Sequence, residues 1–510
     1  MKKKNLTILI TLLVVAIYVG VILFWHLQTP DYKITIQNPG ADNRPEGKSR
    51  KADDVVIGEF FMQYTDCRGV ACNAPDCSVA CNAPDCSVAC NAPPLTDHCR
   101  GVACNAPVTG KWPHFRGNNY KNIAPSTTTF NFSSDFPIQW KVETGEGYAA
   151  PVIYNGLVYL LDYDEKLSSD ALRCFSLESG TELWRRWYRV PMKRNHGFSR
   201  TAPVITDKYV ITVGPVGHVM CCNPITGELK WTLDMQKQFE TEVPHWYSGQ
   251  CPRIEDNQLI LAPAGKEILM VGIDCETGEL AWQTPNTIEF KMSHSSVMPM
   301  TLHGKKTYVY AGIGGVCGVS AETADKGKLL WHTDTWKPSV VAPSPLQLSS
   351  NEIALTAGYG AGGALLQVKH TDGKWLATVV DRYKPNEGLS SEQQTPILYE
   401  QMVITIPPKD GGGIRGKLVA YSPSNLHTPI WESAADERFG LGPYFIIDTH
   451  LFALKDDGEL YVYQLLQRGM KLIKKQRIMN GHDAWGPMAY ADGYLLLQDA
   501  DGVYCLKVDE

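Results

Sequence analysis

The residues best equipped for chemistry in this 510-residue chain are its cysteines, and eight of the fifteen crowd into one short tract. They come as pairs: Cys67 with Cys72, Cys77 with Cys81, Cys86 with Cys90, and Cys99 with Cys104. Each pair closes on the string Cys-Asn-Ala-Pro, so the tract is a tandem repeat. Zinc and iron–sulfur sites usually show two-residue spacings, whereas the gaps within these pairs are three or four. Covalent haem needs Cys-x-x-Cys-His, and that string does not occur. A disulfide-stapled or redox-active spacer, a metal site of unusual spacing and an idle duplicated repeat all remain open. An oxidising compartment favours the disulfides. Eight cysteines allow about 105 pairings, so the connectivity is not legible. A separate vicinal pair, Cys221-Cys222, leads into a Thr-Gly turn. Neighbours on a strand face opposite ways, so two small apolar side chains account for it.

The elements that carry the rest of the chain repeat with a period of about 45 to 50 residues from Trp112 onward. One mark is a turn followed by a short strand ending near tryptophan: Ser-Gly-Thr-Glu-Leu-Trp184, Thr-Gly-Glu-Leu-Lys-Trp231 and Thr-Gly-Glu-Leu-Ala-Trp282. Looser copies end at Trp331, Trp375 and Trp431. A second mark is a proline opening an apolar strand, at Pro151, Pro203, Pro252, Pro299, Pro345, Pro396, Pro443 and Pro487. Between the marks hydrophobicity alternates as in strands, with Asn-Gly at positions 155–156 as a hairpin turn. Four short strands per 40–50 residues describe a propeller blade, and eight starts predict an all-β, eight-bladed β-propeller over residues 112–510. Only three strands fit after Pro487. The missing outer strand is expected from Phe136–Val142, which closes the ring and removes its open edge. The tryptophans are expected to pack between neighbouring blades.

Rotation about the propeller axis brings the segments before those eight prolines to one end of the central channel. They hold Lys193, Arg194, His196 and Arg200; Glu242, His245 and Trp246; Lys291 and His294; and Lys337. Glu392, Gln393, Arg438, His482, Asp483 and Trp485 complete the set. Four of the thirteen histidines converge there, which suits an anionic or carbohydrate-like ligand or a protein loop, although an ordinary polar propeller rim with water accounts for the same residues. Candidate ligand-binding residues are therefore His196, Arg200, His245, Trp246, His294, Glu392, His482, Asp483 and Trp485. Were the mouth catalytic, Asp483 or Glu392 would be its general base.

Ahead of the repeats lie two other regions. Lys2, Lys3 and Lys4 precede an uncharged run from Leu6 to Trp25, whose twenty residues would span about 30 Å as a helix. Lysines stay cytoplasmic, no small-residue cleavage site follows, and Phe24-Trp25 suits a membrane interface. Residues 1–30 thus read as an uncleaved signal anchor in a bacterial cytoplasmic membrane, with the rest facing the periplasm or cell exterior. Residues 31–111, including the cysteine repeats at 67–107, are too poor in large apolar side chains to build a core and read as a linker. A net charge of −6 with no basic stripe disfavours a nucleic-acid partner.

The Asp/Glu-x-x-Thr-Gly-x-x-x-Trp turns around Trp184, Trp231 and Trp282 resemble the repeats of PQQ-like, quinoprotein alcohol dehydrogenase-like propellers. Trp112-Pro-His-Phe115-Arg116-Gly117 is similar to the entry segment of such domains. The resemblance covers residues 112–508. It implies either a dehydrogenase using pyrroloquinoline quinone (PQQ) with calcium, or a quinone-free protein such as the outer-membrane assembly scaffold of Gram-negative bacteria. A vicinal disulfide often covers the quinone in that family, but in a different context from Cys221-Cys222. No calcium-binding string is evident, and the blade-start Trp-x-Pro at Trp485 is what the repeat alone requires. The expectation is a membrane-anchored binding or assembly propeller with a protein or small-molecule partner at the mouth. A membrane-bound quinoprotein dehydrogenase and a redox relay through the cysteine tract are its rivals.

Overall fold

The computed structural model describes residues 15–20, 61–62, 109–126, 129–481 and 483–509. The chain divides into two units, residues 1–38 and 39–510. In the first, residues 15–20 are helical. Among the described residues no helix is long and apolar enough to cross a membrane. The rest of the expected anchor, the cysteine repeats from Cys67 to Cys104, and His482 lie outside the described residues.

The second unit is a ring of eight antiparallel sheets, one per proline-marked repeat. Blade 1 runs outward from the axis through Val152–Tyr154, Leu157–Asp164, Ser169–Ser176 and Glu182–Arg189. Blade 8 takes Ala489–Ala491, Tyr494–Gln498 and Gly502–Lys507 from the C-terminal end and Ile138–Glu143 from far upstream. The register pairs Val503 with Val142 and Cys505 with Trp140, so the closure expected from the sequence is present. Phe61–Met62 adds a short strand to the outer edge of blade 1.

The turn-and-tryptophan mark has a local cause. In blade 2 the Asn223 side chain accepts hydrogen bonds from the backbone N–H groups of Ile225 and Thr226 (2.9 and 3.0 Å), and Gly227 N–H returns to the Asn223 carbonyl. Asp274 does the same for Glu276 and Thr277 in blade 3. Gly227 then stands at φ +66°, and a Cβ there would lie 2.6 Å from the ring of Trp184 in the preceding blade. Glycine is needed twice, for the left-handed backbone and for the close approach. Trp184 also donates Nε1–H to the Pro224 carbonyl, and Trp231 repeats this on Cys275 at 2.8 Å. Trp140 of blade 8 bonds Leu177 of blade 1 at 2.7 Å, so the ring closes by the same contact that builds it. Blade 5 departs from the pattern. Its outer hairpin, Gly362–Thr371 and Lys374–Tyr383, has strands of ten residues. Its turn glycine, Gly373, meets no neighbour, and Trp331 Nε1 is buried without a partner. Trp375 instead stacks on His370 and faces back toward His303 of blade 4.

Cys221 and Cys222 are buried free thiols on opposite faces of their strand. Cys221 packs with Trp231, and Cys222 packs into the core shared with blade 1. They are the small apolar side chains that strand alternation requires.

Candidate functional site

The segment between the linker and the closing strand shapes the channel. Lys111–Trp112 pairs with the inner strand of blade 1 at Ile153 and Tyr154, the end away from Pro151. Ile123–Ala124 pairs in parallel with Ile446 and Ile447 of blade 7. Between these anchors the chain crosses the bore. Arg253 of blade 3 lies over the Tyr120 ring at 4.5 Å, and His114 stacks on Tyr120 at 3.9 Å. Arg116 is 4% exposed and donates to four carbonyls: Tyr120 and Lys121 of its own segment, and Thr395 and Pro396 of blade 6. No carboxylate pairs with it among the described residues, and burial pushes its guanidinium down to about 10. The segment is thus a plug, and the channel becomes a cup closed at one end.

The cup has a cavity of about 280 Å³, to which all eight blades contribute. Of the residues expected at the mouth, His196, Arg200, Trp246, His294, Glu392 and Trp485 line it, and so does Gln393. His245 does not: its ring meets Trp246 edge-on at 4.4 Å and stays exposed. Asp483 is also outside the lining. The backbone turns left-handed there (φ 57°), and the charge acts on Tyr148 and Asp456. Other rim charges form surface ion pairs, Arg194 with Glu146, Lys291 with Glu242 and Lys337 with Asp334, and Arg438 donates to the Arg415 and Gly413 carbonyls. Glu392 is the one carboxylate in the lining. Burial raises its pKa and nearby Asp410 adds to this, while Lys409 opposes it.

Sequence reasoning missed Tyr148, Tyr359 and the plug residues Phe115, Arg116 and Asn122. Tyr148 precedes Pro151 by three residues, so the rotational argument applied to blade 1 would have found it. Tyr359 lies in a loop between second and third strands, and such loops face the mouth by the same symmetry. The site contains two aromatic pairs. Trp246 stacks on Tyr359 at 5.3 Å and 15°, and Tyr148 leans on Trp485 at 4.9 Å and 31°. Arg200 joins the pairs, with Nε on the Trp246 carbonyl at 2.6 Å and its guanidinium carbon 5.2 Å from the Tyr148 ring centre. It also bonds the Asn195 and His196 carbonyls. Burial, then the charge of Arg200, pushes His294 down to about 4, so its ring is neutral at neutral pH. His196, Trp246 and Tyr359 all hold positive φ values of 52–65°. Such backbone is costly for bulky residues and concentrates at ligand clamps and active sites.

Comparison with known proteins agrees with this architecture. The family model described as outer membrane protein assembly factor BamB matches residues 168–341. Among solved structures, a europium-containing methanol dehydrogenase superposes with a TM-score of 0.55, at 11% identity over 77% of this chain and 90% of that one. The quinohemoprotein alcohol dehydrogenase from Comamonas testosteroni gives 0.52, at 13% identity over 78% and 80%. BamB from Moraxella catarrhalis is 13% identical over 73% of this chain and 99% of that one, with a TM-score of 0.47. No curated protein matches significantly. The class is an all-β, eight-bladed propeller. Within it, the chain resembles the PQQ-like repeat proteins, through the family model matched over residues 168–341 and the superposition on the two dehydrogenases.

Quinone and calcium can be tested against the cup. Calcium takes about six to eight oxygen ligands, chiefly carboxylates and carbonyls. The lining offers one carboxylate, and among the described residues no three His, Cys, Asp or Glu side chains converge as a metal site would need. A planar quinone held between rings needs a slot of about 7 Å, twice a van der Waals contact. The rings of each aromatic pair already touch one another. The residues present do not fit PQQ with calcium.

Proposed function

We propose that the chain is a non-catalytic binding propeller whose plugged cup captures a ligand or a partner's side chain. Residues 6–25 hold it in a bacterial cytoplasmic membrane with the propeller outside. One observation carries the binding role: a cavity closed at one end and lined by two aromatic pairs, with strained backbone at three of its lining residues. Chemistry at this mouth would want a positioned acid–base pair or a metal, and Glu392 stands there as a single carboxylate. The full chain, purified in detergent, is mixed with PQQ and calcium and assayed for dye reduction with simple alcohols and aldoses. The expected result is no quinone uptake and no turnover. Stoichiometric uptake followed by substrate-dependent reduction, lost in Glu392→Gln, would replace the scaffold with a quinoprotein dehydrogenase. Retention in membranes after carbonate washing tests the anchor, and a soluble form beginning near Asp31 would contradict it.

A further inference from the structure

The chemistry of the cup narrows what it accepts. Arg200 is half-buried, and three of its contacts are to backbone carbonyls. Its Nη1 has no partner, and no carboxylate pairs with it, among the described residues. Glu146 acts on Arg200 through its charge but is ion-paired to Arg194. A cation partly withdrawn from water with no carboxylate in contact favours an anion within reach, and a planar guanidinium suits a carboxylate. The floor adds a second cation, Arg116, against the single carboxylate Glu392. Aromatic surface flanks Arg200 on both sides, through Trp246 with Tyr359 and Tyr148 with Trp485. The remaining wall carries hydrogen-bonding groups, including Glu392, Gln393, Ser296 and neutral His294. An aliphatic acid would leave that wall unpaired, and a flat aromatic acid finds no slot between rings already in contact. At about 280 Å³ the cavity falls at the small end of ligand sites, which begin near 300 Å³, so it suits one ring better than an extended chain.

We propose that the cup binds a carboxylated sugar ring, with the carboxylate on Arg200 and a C–H face of the ring against the rim aromatics. The assignment rests on the reading of the cup as a binding site. The ring could come from a free uronate or from the end of an acidic glycan, which present the same carboxylate and hydroxyls.

The test is calorimetric titration of the full chain in detergent with sodium glucuronate, with glucose, and with a disaccharide bearing a terminal glucuronate. Glucose keeps the ring and replaces the carboxylate by a hydroxymethyl group. Glucuronate is expected to bind at least about ten-fold more tightly than glucose, as one good charge-assisted contact would give. Tyr359→Ala, at an exposed rim position, should weaken both sugars and keep their ratio. Arg200→Gln should abolish the preference. Should that variant fail to fold, raising the salt from 50 to 500 mM must still reduce the wild-type preference. Tighter binding of the disaccharide assigns the glycan end, and tighter binding of glucuronate assigns the free acid. Equal affinity for glucose and glucuronate would overturn the carboxylate assignment and leave a cup that binds sugars. Binding of neither would overturn the sugar assignment. The binding role itself fails by a different result, the quinone-dependent turnover described above.

Discussion

Replacing Arg116 by methionine tests the plug. The guanidinium makes four hydrogen bonds of 2.8–3.2 Å to carbonyl oxygens and has no carboxylate to lean on. Bonds from a charged donor are worth about 1.5–3 kcal/mol each, so their gross value is roughly 6–12 kcal/mol. Against this stands the cost of burying the charge. The fall of its pKa from 12.5 to about 10 corresponds to about 3 kcal/mol. Water can reach the freed carbonyls once the plug lifts, which recovers part of the remainder. The net loss is therefore about 3–5 kcal/mol. Unfolding entropy for a unit of this size is near 0.8 kcal/mol/K, so Tm should fall by about 4–6 °C. The loss should also be local, because Lys111–Trp112 and Ile123–Ala124 remain paired at the ends. Hydrogen exchange at Tyr120–Asn122 should accelerate at least a hundred-fold while the outer strands of blades 3 and 4 stay protected. Arg116→Lys keeps the charge without the fork and should recover less than half of the loss. An unchanged Tm, with plug amides still protected in the methionine variant, would refute the view that Arg116 pins the floor of the cup.

Three further outcomes are expected. Asp170 is fully buried, accepting hydrogen bonds from Ser199 (2.7 Å) and Tyr188 (2.9 Å), and burial pushes its pKa up to about 7 from 3.8. A folded-state pKa above the unfolded value means stability that is full below pH ~4 and is lost as pH rises through ~7. Thermal melts should therefore decline between about pH 4 and 7 and level off above, with an upper bound near 4 kcal/mol, and Asp170→Asn should flatten that slope. Trp140→Ala removes both the ring packed on Gly180 and the bond to Leu177, and should cost about 3–5 kcal/mol in denaturant titration. Thiol labelling before and after reduction should find most of Cys67 to Cys104 oxidised. Changing all eight to serine should leave the propeller's Tm within about 1 °C.

The blades were legible because their signals are local and repeated. A turn capped by a short polar side chain (Ser176, Asn223 or Asp274), a glycine at positive φ and a tryptophan four residues on form one physical unit, so the copies at Trp184, Trp231 and Trp282 show why the others exist. The closing strand was legible by subtraction, since three strands after Pro487 leave an edge that only Phe136–Val142 could fill. The plug was not. Its residues Trp112 to Gly117 could be recognised as an entry segment, but Arg116 bonds carbonyls nearly 280 positions away, and no periodicity announces such contacts. At the mouth, symmetry named the correct segments but could not orient side chains within them. His245 and Trp246 are adjacent, yet only Trp246 lines the cavity. Tyr359 lies in the loop between Glu352–Ala357 and Gly362–Thr371, which carries no repeated proline mark to announce it.

The closure of the ring also sets a clock. Glu143 pairs with Gly502, about 360 residues later in the chain. At 5–20 residues per second, synthesis leaves the strand Ile138–Glu143 without its partner for roughly 20–70 s. By the end of that interval seven blades can stack, but both ends of the stack present open edges, and no blade 8 sheet yet holds Trp140 on the Leu177 turn of blade 1. Maturation of this protein is therefore gated by the arrival of its last strand, and a cell that makes it must shelter an almost complete ring until then.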